Sequence, residues 1–114
     1  MNYSIKVSEG IEYRKVGGCV KRLVNPKTTE SVNIGTSVCY LNPGEENTRH
    51  RHENEEVYFV VQGEGKMTIE EETIRLGKYL SVYIPANAWH WTINDGEEPL
   101  VLHCSLSPPP IIEE

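Results

Sequence analysis

Apolar and polar residues alternate along this chain in short runs. Val20 to Val24, Thr36 to Leu41, Val57 to Val61, Lys66 to Glu70, Tyr79 to Ile84, Trp89 to Ile93 and Leu100 to Leu106 are rich in β-branched or aromatic residues and are bounded by Gly, Pro, Asn or Asp. That pattern predicts strands. No window sustains a helical period, because Gly or Pro interrupts nearly every candidate before three turns accumulate. The expectation is an all-β domain. Many short strands, each with one face to bury, close into a sandwich or a barrel.

The connections carry turn chemistry. Gln62-Gly63-Glu64-Gly65 supplies two residues that tolerate positive φ and predicts a hairpin between the flanking strands. Asn25 to Glu30 reads as a polar loop. Ser107-Pro108-Pro109-Pro110 ends the sheet, since proline has no amide to donate, and leaves 107–114 as an extended, exposed tail. No internal repeat is present, so residues 1–114 read as one domain. Within the run 57–61, Val57, Phe59 and Val61 share one face and Tyr58 and Val60 the other. A strand apolar on both faces is covered on both, which in a single barrel this small points to a second sheet or a partner subunit; a homodimer is expected.

Charge narrows the partners. The formal charge of -6 and the lack of a basic stripe count against nucleic acid, whose binding draws on clustered Lys and Arg. Cys19, Cys39 and Cys104 form no CxxC pair and read as small buried hydrophobes in a reducing compartment. The first ten residues show no basic segment leading into an apolar one, and no apolar run approaches ~20 residues. The cytoplasm is expected, with no membrane partner.

Candidate chemistry concentrates in Gly44 to Gly63. If Arg49 to His52 is extended, His50 and His52 project to one face. An unbroken strand would carry Glu56 ~20 Å from His50, whereas ligands of one metal ion sit ~2 Å from it. The polar segment Glu53-Asn54-Glu55 has turn composition, and a reversal there sets Glu56 beside His52. Tyr58 and Gln62 share parity with Glu56 and should face the same pocket. Glu53 and Glu55 read as solvated turn carboxylates. His103 has no motif around it and reads as a structural or surface residue, and Trp89 and Trp91 read as packing or interface residues.

Gly44, five residues, His50, one residue, His52, three residues, Glu56, six residues and Gly63 resembles the first motif of the cupin superfamily at every fixed position. Thirteen residues on, the stretch Gly77 to Asn94 resembles the second motif through Pro85, Asn87, His90 and Asn94. Two departures stand out. Seven residues rather than the family's usual five separate Gly77 from Pro85, which predicts a strand longer or bulged by two. Asn87 stands where the family has glycine, and asparagine is at ease with positive φ. The resemblance implies a double-stranded β-helix, or jelly-roll, barrel of six to eight strands. It further implies that His50, His52, Glu56 and His90 converge on one divalent transition metal, a mixed N/O set suited to Fe, Mn, Zn, Ni, Co or Cu. The implied function is a metal-dependent enzyme, of dioxygenase, isomerase or lyase type, acting on a small oxygenated molecule with Tyr58 and Gln62 beside the metal. The alternative is a non-catalytic module in which the metal anchors a small ligand.

Overall fold

The computed structural model describes residues 2–112. After a 3-10 turn at Val7–Glu9, nine strands follow: β1 (Ile11–Tyr13), β2 (Cys19–Arg22), β3 (Gly35–Leu41), β4 (Glu55–Gln62), β5 (Gly65–Ile69), β6 (Glu72–Leu76), β7 (Ser81–Ile84), β8 (His90–Ile93) and β9 (Leu100–Ser107). They form a six-stranded sheet in the order β1-β2-β3-β9-β4-β7 and a three-stranded sheet in the order β6-β5-β8. All pairings are antiparallel. The two sheets enclose a core of Leu41, Val60, Met67, Leu76, Ile84, Leu100 and Leu102, each at most 1% exposed. This is the all-β domain that the alternation implies, because each strand contributes one apolar face to the space between the sheets, and the jelly roll that the family resemblance implies.

Each of the seven expected strands is present, with ends displaced by one or two residues. β1 and β6 were not anticipated. β6 (Glu72-Thr-Ile-Arg-Leu) buries only Leu76 fully, so it lacks the apolar alternation that marks its neighbours. It reaches β5 through a two-residue turn at Glu70-Glu71, with Glu70 at φ 53, and that dipeptide carries no turn signature.

Three expectations need correction. Gln62 to Gly65 is not a hairpin: β4 pairs with β7 and β9, whereas β5 pairs with β6 and β8. The chain turns a corner there and passes from one sheet to the other. Gly63 makes that passage possible at φ 90, where a Cβ would stand 2.6 Å from the Pro99 carbonyl oxygen. The two additional residues before Pro85 do not lengthen or bulge a strand, since β4 and β7 keep an unbroken register from Glu56↔Ile84 to Phe59↔Ser81. They lie in a tight turn at Lys78-Tyr79, with Tyr79 at φ 74 and the Leu80 amide donating to the Gly77 carbonyl at 3.1 Å. The tail is not a free extension either. Pro109 and Pro110 pack over Gly35, the Asn25 side chain donates to the Pro110 carbonyl at 3.2 Å, and Ile112 is buried. Residues 113 and 114 lie outside the described residues.

The outer face of β4 presents Val57, Phe59 and Val61 to solvent at 40%, 37% and 42% exposure, with the Tyr79 ring stacked on Phe59. His103 sits on that same outer face, opposite Phe59 and Val38. No helix among the described residues is long and apolar enough to cross a membrane.

The corner at Gly63 yields a test. Gly63→Ala places a Cβ against backbone and forces a side chain into left-handed geometry, so it should destabilise the fold by about 2 kcal/mol or more. Urea unfolding of the two proteins measures the difference.

Candidate metal centre

The site is built where the two sheets approach each other. His50 and His90 form an isolated antiparallel bridge, each amide donating to the other's carbonyl at 3.0 and 2.9 Å. Past His52 the chain bends at Glu53-Asn54 and enters β4 in the six-stranded sheet. That crossing, rather than a hairpin, brings Glu56 beside His52. Asn87 adopts φ 64, and its amide donates to the His52 carbonyl at 2.7 Å. The second-motif segment is thereby tied to the first just before His90 enters β8.

Three imidazoles meet here. The ligand-type nitrogens of His50, His52 and His90 all lie within 4.8 Å of one another. Glu56 joins them from β4, with Oε1 3.1 Å from His52 Nε2 and 3.7 Å from His90 Nε2. Each ring is held by its other nitrogen. Nδ1 of His50 faces the Thr48 carbonyl at 2.5 Å, that of His52 the Asn54 carbonyl at 2.9 Å, and that of His90 the Ala88 carbonyl at 2.9 Å. A carbonyl only accepts, so all three Nδ1 atoms carry the proton. The three Nε2 atoms are thus turned toward the common centre.

A divalent cation fits this arrangement. His90 Nε2 is buried and has no hydrogen-bond partner among the described residues, and a buried acceptor left so costs about 1–3 kcal/mol. The Glu56 side chain is 7% exposed, a burial that favours a cationic partner. Separations of 3 to 5 Å between donor atoms are those of ligands sharing one ion at bond lengths of about 2 Å. The His50, His52 and His90 group could therefore hold a metal ion.

Burial holds the His90 imidazole down to a pKa of about 4, with the nearby His50 and His52 rings adding to the effect. The hydrogen bond to Glu56 raises His52 above the ordinary histidine value. His90 is thus neutral and ready to donate its lone pair. His52 faces two acceptors, the Asn54 carbonyl through Nδ1 and the Glu56 carboxylate through Nε2, which favours its protonated form; a metal at Nε2 would compete with that proton.

A cavity of about 370 Å3 opens beside the centre, lined by His50, His52 and Glu56 and, farther in, by Tyr58, Cys39 and Cys104. Tyr58 is 4% exposed, and its ring meets His90 edge-on at 6.5 Å. Burial pushes the Tyr58 phenol well above its usual range, Asn47 opposing through a hydrogen bond. Burial likewise pushes the Cys39 thiol up to about 12 and raises Cys104. All three are protonated near neutral pH.

Gln62 is placed differently from its expectation. The ladder between β4 and β9 shifts register between Val60 and Gln62. That bulge breaks the period-two alternation and turns Gln62 to the exterior, where its amide donates to the Pro99 carbonyl at 3.2 Å. Trp89 is stacked by the guanidinium groups of Arg49 and Arg51 at 4.6 and 4.7 Å. Arg22, Tyr13 and Asn47 also line the cavity and were not anticipated. Arg22 and Tyr13 stand on N-terminal strands that carry no motif.

The family profile described as the cupin domain matches residues 37–106. The chain belongs to the cupin family. Among curated proteins it is 29% identical over 96 residues to the uncharacterized protein MJ1618 of Methanocaldococcus jannaschii, covering 83% of this chain and 77% of that one. It is 31% identical over 110 residues to the polyketide synthase CurC of Streptomyces cyaneus, covering 93% and 71%. A shorter match, 32% over 62 residues, links it to a 5-nitrosalicylic acid 1,2-dioxygenase of Bradyrhizobium sp., covering 54% of this chain and 30% of that protein. Among solved structures, a cupin 2 domain-containing protein from Halorhodospira halophila superposes with a TM-score of 0.73 at 30% identity, covering 78% and 62%. An RmlC-like cupin from Shewanella frigidimarina superposes with a TM-score of 0.77 at 17% identity, covering 95% and 92%, and shares the fold.

The two shifted histidines can be separated by titration. In metal-free protein, the imidazole resonances of His52 should titrate above the ordinary value of about 6.5. Those of His90 should stay neutral until the pH falls to about 4. Imidazole nitrogen chemical shifts followed across that range measure both.

Proposed function

We propose that this cupin is a mononuclear metalloenzyme in which His50, His52, Glu56 and His90 hold one divalent transition metal and a small oxygenated organic molecule reacts in the adjoining cavity. The observation that carries this reading is the buried, unpartnered Nε2 of His90, facing a carboxylate and two more imidazoles. Three nitrogens and one carboxylate suit Fe, Mn, Ni, Co, Cu or Zn and leave coordination positions for other groups. Such an ion supplies Lewis acidity or a redox centre, the chemistry of dioxygenases, isomerases and lyases. The dioxygenase among the relatives supports an oxygenase reading.

The protein's own residues do the remaining work. The backbone carbonyls of Thr48, Asn54 and Ala88 fix the ring orientations. Tyr58, held protonated by burial, donates a hydrogen bond to a substrate oxygen and does not act as a base. The neutral thiols of Cys39 and Cys104 form an unreactive wall. Gln62, on the outside, has no part in the reaction. The three free thiols fit a reducing compartment such as the cytoplasm.

Metal analysis of purified protein tests the centre. One equivalent of metal is expected in the wild type and none in His52→Ala or His90→Ala, with the β-sheet circular dichroism retained. Stoichiometric metal in His52→Ala would overturn the ligand assignment. Tyr58→Phe should keep the metal and lower turnover roughly tenfold through loss of one hydrogen bond. Metal retention without turnover across a panel of oxygenated substrates would instead favour a binding module.

The exposed strip of Val57, Phe59 and Val61, continued by Tyr83 opposite Val57, supports a homodimer. The barrel covers the inner face of β4, and a second copy presenting the same strip about a two-fold axis covers the outer one. Light scattering should give twice the chain mass, reduced to one by Phe59→Glu. A monomeric wild type would exclude the pairing.

A further inference from the structure

Arg22 is a half-buried cation without a carboxylate partner among the described residues. Elsewhere Arg14 pairs with Glu12 and Arg75 with Asp95. The chain carries 17 acidic residues against 11 basic ones, so pairing partners are plentiful, yet none reaches Arg22. Its guanidinium carbon lies 4.0 Å above the Tyr13 ring centroid, and both residues line the cavity that His50, His52 and Glu56 line. Burial lowers its pKa, the mark of a cation that has given up part of its water. Guanidinium groups so placed match carboxylates through paired, charge-assisted hydrogen bonds.

The register gives the span. Arg22 stands opposite Ser37, Ser37 opposite Cys104, and Cys104 opposite Tyr58. One inward-facing row therefore runs straight across the six-stranded sheet from β2 to β4, with Glu56 one inward position farther along β4. Three interstrand steps and the two-residue offset from Tyr58 to Glu56 make about 16 Å between the Arg22 and Glu56 backbone positions, and the arginine and glutamate side chains reach inward from both ends. What remains between them suits a molecule of a few carbon atoms.

We infer that the substrate is a small carboxylate whose acid group is held by Arg22, braced on Tyr13, while its other oxygenated end meets His50, His52 and Glu56. The inference rests on the metal reading above and names the substrate class for that centre. A cavity of about 370 Å3 lies at the lower end of small-molecule sites, roughly 300–1,000 Å3. Arg22 is a substrate-binding residue and leaves the metal centre untouched.

The test compares acids with neutral analogues of the same shape: succinate against succinamide, and 2-oxobutyrate against its methyl ester. Calorimetry on the metal-loaded protein should show the acids binding more tightly than the analogues. Arg22→Met should weaken the acids at least about tenfold, with metal content unchanged and the neutral analogues unaffected. Arg22→Lys should fall between. The Arg22 side-chain Nε–H resonance of the wild type provides a measurement that needs no variant, and it should shift with each acid and not with its analogue. The same titration on metal-free protein separates the two readings. An acid-dependent Arg22 shift in a protein that takes up no metal overturns the metal centre alone. Stoichiometric metal with an unresponsive Arg22 overturns the present inference alone. Equal affinity of wild type and Arg22→Met for the acids, analogues binding as well as acids, or no acid binding at millimolar concentration would also overturn it.

Discussion

A carboxylate buried between two sheets is the constraint on which the rest of this structure depends. Glu56 sits on the six-stranded sheet, and His50 and His90 pair with each other across the opposite wall. A buried acid without a cationic partner costs several kcal/mol, so the barrel is organised to meet it. The corner at Gly63, the bend at Glu53-Asn54 and the turn at Asn87 are three places where the chain leaves regular strand geometry. Two of them flank the first motif's strand, and the third leads into His90. Each trades local strand regularity for the convergence of side chains that lie far apart in the chain.

Alternation of apolar residues made most of the fold legible, because a strand that buries one face must repeat with period two. Part of the ligand-type set was legible for a related reason: His50, His52 and Glu56 stand at spacings that only a chain reversal could reconcile with a common point, whereas His90 was reached only through its place in the stretch that resembles the second cupin motif. Long-range pairing was not legible. A Gly-rich link between two strands looks the same whether the strands pair or pass to separate sheets, so Gln62 to Gly65 read as a hairpin. Parity also fails at a bulge. Gln62 lost its place at the site to one register shift that no residue type announces. Strand β6 escaped notice because an edge strand carrying Glu72, Thr73 and Arg75 has little apolar face to reveal.

Arg22 was invisible for a further reason. Its meaning lies in what is missing around it, and absence of a partner is a property of three-dimensional packing. The N-terminal strands β1 and β2 look like filler along the chain, yet they line one end of the cavity and bring to it a half-buried cation with no carboxylate partner among the described residues. The proline tail behaves similarly: it crosses Gly35 and lends Pro110 to the cavity wall, so a segment that reads as a free extension forms part of the cavity.

Each of the three imidazoles is tethered to a peptide carbonyl only two positions away along its own strand or turn, at Thr48, Asn54 and Ala88. Ring orientation is therefore inherited largely from the main chain, with the Glu56 side chain adding a contact at His52 Nε2 only. Residues of the cavity wall other than the histidines and Glu56 can change without disturbing the carbonyls that orient the three rings. A scaffold with that separation can change what it accepts while keeping how it holds.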